Sequence, residues 1–128
     1  MDKFTPEDLQ KEKFDKQTRP RAFYAGSIAS PVADWAELSR VFVLWLINNR
    51  HLNFDQLPVP NHAYRGKYFI NKKPCHEHLE RDGDWRSVGT YWVDTKYNAD
   101  SHRKNLLSTL KHLQVQSANI FFSFNVHK

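Results

Sequence analysis

The sequence predicts an α+β chain: a four-stranded antiparallel sheet with two helices on one face, in the order β-α-β-β-α-β, preceded by an N-terminal helical arm. Three observations predict it. Residues 87–126 divide by pattern into strand, helix and strand. Residues 32–49 form a second helical repeat whose middle is apolar all round. Residues 4–16 open with a helix-start signature but hold few large apolar groups.

The arm comes first. Thr5 stands as N-cap, Pro6 at the first helical position, and Glu7 and Asp8 face the positive helix end. Phe4 and Leu9 occupy the positions of a hydrophobic staple. Phe14 is the other large apolar residue before Lys16, so residues 1–19 read as an appended arm and 20–128 as one α+β domain. Pro20 biases Arg19 away from helix and marks the linker.

Residues 21–28 are the first expected strand, interrupted by Gly26-Ser27. Ser30-Pro31 then suits an N-cap and first helical position for residues 32–49. Trp35, Leu38, Phe42 and Trp45 line one side of that helix. The run from 41 to 47 is apolar on every side, which implies burial from several directions or an oligomer interface. Each large side chain it buries contributes roughly 2 kcal/mol before entropy is counted.

Pro58 and Pro60 make residues 53–62 a loop, and residues 64–71 read as a strand with Arg65, Lys67, Phe69 and Asn71 on one face. Residues 72–85 are polar and too long for a tight hairpin, the profile of a functional loop. Residues 89–97 form the next strand, with Tyr91 and Val93 on one face and Thr90, Trp92, Asp94 and Lys96 on the other. Leu106, Leu107, Leu110 and Leu113 then mark a helix capped by Asn98 or Asp100. The last strand alternates Ile120, Phe122, Phe124 and Val126 against Phe121, Ser123 and Asn125. The resulting order is that of the ferredoxin-like split-βαβ fold, to which right-handed crossovers lead.

At 128 residues one compact domain is expected, and 40% apolar content supports a core. Nineteen Lys and Arg against 14 Asp and Glu give a net charge of +5, which admits a polyanionic partner. The single Cys75 excludes an internal disulfide framework. The N-terminus is charged from Asp2 and shows no secretory h-region; with no apolar run long enough to span a bilayer, a soluble cytoplasmic protein without membrane contact is expected.

The sheet face away from the helices would gather Phe69, Trp92 and Phe121 with Arg65, Lys67 and Lys96. Rings on such a plane stack on unpaired bases, at roughly 1–3 kcal/mol each, while the cations follow phosphates. In element order and surface type this resembles RNA-recognition-motif sheets; residues 86–93 depart from the consensus of their central strand, so no family follows. Binding of single-stranded DNA or RNA, without cofactor, is the expectation carried forward.

Two other chemistries are readable. Asp84 with Asp94-Thr95-Lys96 matches the D…DxK pattern of Mg²⁺-dependent nucleases, in which acids hold the metal against phosphate and the lysine supports the attacking water; Asp82 and Glu37 are further acids. His62, Cys75, His76 and His78 could ligate zinc by type, but their spacing matches no paired-ligand motif and a polar surface loop is the favoured reading of them. A third expectation is contact alone, by a protein-binding or homo-oligomeric regulator of the phage or host-defence kind. No P-loop, dinucleotide fingerprint or nucleophile elbow is present.

Overall fold

The structure, a computed structural model, describes residues 3–63, 66–77 and 82–125. Among these the elements are α1 (Pro6–Leu9), β1 (Pro20–Ala25), β2 (Ile28–Pro31), α2 (Trp35–Asn48), a 3-10 turn (Phe54–Gln56), β3 (Val59–Pro60), β4 (Tyr68–Asn71), β5 (Trp85–Val88), β6 (Tyr91–Asp94), α3 (Ala99–His112) and β7 (Ile120–Phe124). They build two antiparallel sheets, one ordered β2-β1-β7 and the other β3-β4-β6-β5. The mixed α+β character stands. The expected single four-stranded sheet in ferredoxin order, with two helices on one face, is corrected to this two-sheet arrangement.

Two turns account for much of the difference. Gly26-Ser27 does not interrupt one strand; it is a two-residue hairpin loop that sets Ala25 opposite Ile28. Gly89-Thr90 likewise joins β5 to β6, with Val88 opposite Tyr91. The glycines adopt φ of +59° and +61° while Ser27 and Thr90 stay out of the positive region. That is the type II′ pattern, whose twist matches the flanking strands. Each glycine thus doubles a strand, and β2 takes up Ser30 and Pro31, which were expected to open the helix. Asp34 caps α2 instead, its side chain accepting from the Glu37 amide at 2.8 Å.

α2 packs against β1 on one side and against β5 and β6 on the other, with α3 alongside, so one helix joins the two sheets. Phe42, Val43, Leu38 and Leu46 are buried there in a cluster shared with Phe23, Phe122, Ile70 and Val93. Both long helices stop in Schellman motifs. The amides of His51 and Val115 return to Leu46 O and Leu110 O, with Arg50 and Gln114 in the left-handed conformation.

The N-terminal segment belongs to this core. Thr5 caps α1 in a reciprocal box with Asp8, as its sequence suggests. Phe4 pairs with Phe122 through two backbone hydrogen bonds of 2.7 and 2.8 Å, and Leu9 and Phe14 are buried. The Arg103 guanidinium donates to Leu9 O at 2.6 Å, and the Phe14 amide donates to Asp100 at 2.9 Å. Arg103 and that amide outweigh the opposing effect of burial and hold the Asp100 carboxyl down to about 2. Among the described residues no helix is long and apolar enough to cross a membrane.

Candidate functional site

The four-stranded sheet holds most of the residues that the sequence singles out. Cross-strand pairing sets Trp92 between Asn71 and Ser87, and Asp94 opposite Trp85. Side chains alternate along a strand, so Trp85, Ser87, Trp92 and Asp94 share one face, and Arg86, Val88, Tyr91 and Val93 the other. Val93 and Ile70 on that second face are sealed in the core. The first face is covered at one place and open at another.

The covered part is built on Asp94. Its carboxylate is buried, and four donors converge on it: the Asp84 and Lys96 amides at 3.0 and 3.1 Å on Oδ1, and Tyr97 Oη at 2.9 Å with His76 Nε2 at 3.3 Å on Oδ2. His76 Nδ1 accepts the Tyr68 amide at 2.9 Å, which places the ring proton on Nε2, toward Asp94. Gly83 is required at this point. A Cβ there would lie 2.7 Å from Asp94 Oδ1 at a backbone φ of +126°. Burial and the adjacent Asp94 charge push the Tyr97 hydroxyl well above its usual range.

This geometry engages the central acid of the D…DxK pattern within the protein. A carboxylate offers about four lone-pair positions, and those of Asp94 are taken by protein donors. Asp84 turns away into a two-toothed pair with Arg86, at 3.1 and 2.9 Å, which lowers its pKa. Lys96 is exposed and bound to Asp82 at 3.3 Å. Glu37 lies in the first turn of α2, accepting from the Ala33 amide at 3.2 Å.

The suggested zinc ligands among the described residues are not gathered into a site either. Both ring nitrogens of His76 are engaged, Cys75 is buried beside it, and the backbone of His62 is tied to Asn105 on α3 at 2.9 Å. Burial and then Lys104 lower the His62 pKa. Arg65 and His78 lie outside the described residues. Among those described, no three His, Cys, Asp or Glu side chains are grouped to hold a metal.

The open part belongs to two tryptophans. Trp92 and Trp85 are diagonal cross-strand neighbours, both half-buried, which at sheet spacing puts their positions about 7–8 Å apart. Trp85 is fixed by its indole N–H donating to Asp82 O at 3.2 Å and by His76 against its ring at 4.9 Å. Lys96, and more remotely Lys67, lie close enough to Asp82 to lower its pKa, with the Lys96 hydrogen bond the leading cause. Trp85 and Lys96 therefore meet at Asp82, and Lys67 lies within electrostatic range of the same carboxylate.

Two expected members are absent from it. Phe69 is fully buried, in edge contact with Tyr97, because the Cys75-His76 segment and Tyr97 roof that part of the face. Phe121 belongs to the other sheet, beside Tyr24, with the Lys3 ammonium 4.2 Å from the Tyr24 ring centre and 6.0 Å from its own. Trp85 is the member that sequence reasoning missed. It closes a polar stretch and looks like loop, yet the Gly89-Thr90 hairpin brings it back across from Asp94. No family model, curated protein or solved structure matches the chain.

Proposed function

We propose that the Trp85–Trp92 face of the four-stranded sheet binds single-stranded nucleic acid, with the two indoles stacking on successive bases and Lys67 and Lys96 neutralising phosphates. The observation that carries this reading is the pair of half-buried indoles on one sheet face, with Lys96 paired to the same Asp82 that holds Trp85. Bases of every kind have a π-face, so such a platform tolerates sequence and takes part of its affinity from the cations. Double-stranded helices hide those faces and bind less well. The chain's net charge of +5 favours the approach of a polyanion.

The test is a salt-dependent titration of fluorescent single- and double-stranded oligonucleotides, read by anisotropy and by quenching of tryptophan emission. Trp92→Ala is expected to weaken single-strand binding by roughly 1–3 kcal/mol. Phe121→Ala, on the other sheet, is expected to leave it unchanged. Equal losses from both variants, or affinity that ignores salt, would overturn the assignment.

A further inference from the structure

A second surface, apart from the tryptophan platform, lies along α2. The helix buries Leu38, Phe42, Val43 and Leu46, yet its outward stripe is not a polar one. Leu44 is 47% exposed, and Ile28 on the neighbouring β2 is 46% exposed. Leu44 and Val41 form a ridge between two hollows. One, of about 180 Å³, lies toward β5 and is walled by Glu37, Arg40 and Val88; the other, of about 130 Å³, lies toward β2 and is walled by Ile28, Trp45 and Asn48.

The surroundings decide what fits. β2 and β5 are the edge strands of their sheets, but neither is open to an added strand along its length. Pro31 removes a donor from β2, and Arg40 Nε occupies Ser87 O of β5 at 3.3 Å. A ridge with a hollow on each side accepts another helix, whose side chains enter the hollows while this ridge enters its groove. The α2 stripe meets that description itself.

Its polar ends also complement each other. Exposed Asp34 and Glu37 lie at the N-terminal end, whereas Asn48, Asn49 and exposed Arg50 lie at the C-terminal end. An antiparallel copy centred between positions 41 and 44 sets each acidic end against the partner's Asn48–Arg50 end. It also opposes the two helix dipoles favourably. We infer that two copies of this chain associate through α2, antiparallel about a two-fold axis at the Val41–Leu44 ridge, with Glu37 of each copy facing Arg50 of its partner.

Sedimentation velocity of the whole chain over a range of concentrations tests this. The unmodified protein is expected to pass from monomer to dimer with rising concentration. Leu44→Asp should hold it monomeric and folded, with a thermal midpoint within a few degrees of the unmodified monomer's, because about half of this side chain is exposed. If that variant misfolds, charge reversal answers independently: Glu37→Arg should raise the dimer dissociation constant about tenfold, and adding Arg50→Glu should restore it to within about threefold of the original. An unmodified chain that stays monomeric throughout, or a dimer indifferent to both Leu44→Asp and Glu37→Arg, would overturn the proposal.

Discussion

In the three-stranded sheet the covered face is ring upon ring: Phe23 lies 5.5 Å from Phe122 and 6.0 Å from Phe42, and Phe124 stands 5.7 Å from Phe4. In the four-stranded sheet the roofed part of one face is built instead around a carboxylate with four donors. The first arrangement asks for volume and tolerates any apolar shape that fills it. The second asks for hydrogen bonds of the right sense, and one wrong atom leaves a buried polar group unsatisfied. Apolar cores therefore leave a broad mark in composition, whereas a polar hub is specified by a few residues far apart in the chain.

Substitutions break this contrast in a definite order. Phe122→Ala empties a fully buried site between Phe23 and Phe124 and is expected to cost about 3–5 kcal/mol in denaturant unfolding. Phe122→Leu should recover most of it, since volume is the requirement. Asp94→Asn should cost roughly 2–4 kcal/mol, because the new amide points N–H groups at donors. Here an almost isosteric change does not rescue, which is the signature of the hub. Any loss of nucleic-acid binding in Asp94→Asn should follow the loss of folded protein, and a metal-dependent activity removed without destabilisation would contradict the structural role given to Asp94.

The parts legible in the sequence are those set by neighbours along the chain. The caps Thr5 and Asn98 and the leucine stripe of α3 appear as their local patterns suggest, and Ile120, Phe122 and Phe124 of β7 are buried as expected, but Ser123 on the opposite face is buried as well. The hairpins were legible in principle, since a glycine followed by Ser or Thr between β-formers is itself a turn signal. What local pattern does not carry is long-range pairing. β7 joins β1 across about a hundred residues, and Phe4 then extends that pairing. Likewise, the Asp94-Thr95-Lys96 triplet looks the same whether its carboxylate faces water or His76. The return of the 72–77 segment over the sheet, with Tyr97 and the Gly83-Asp84 backbone, buries it and Phe69.

His102 extends the comparison to a polar group on the helical side. It is buried with Nε2 3.1 Å from Thr95 O and Nδ1 3.4 Å from Ser39 Oγ, stacked on Trp35 at 5.2 Å. Burial depresses its pKa to about 4, against the pull of the Thr95 carbonyl and Asp94. The folded state thus holds it neutral, while the unfolded chain takes up a proton below about 6.5. Its contribution is complete above that pH and is lost as pH falls toward 4, about 2 kcal/mol of it by pH 5. His62, also depressed, acts in the same direction. Urea unfolding at pH 7 and pH 5 should therefore show a fall that is smaller in His102→Gln; an unchanged difference would remove His102 as its source.

The smallest stability effect belongs to the open edge of the same sheet face that holds the hub. Lys96 and Asp82 are each about two-thirds exposed, so water and salt already screen their pair. Lys96→Ala is expected to leave the unfolding curve within experimental error. On the proposed binding reading the same change removes one phosphate contact and should reduce the salt slope of single-strand binding by about 0.7. Two residues along the chain, Asp94 should do the reverse, moving stability strongly and the salt slope of the remaining folded protein little. If Lys96→Ala instead destabilised the fold as Asp94→Asn does, the division between a sealed hub and an exposed platform on this face would not hold, and the tryptophans would have to be counted with the core.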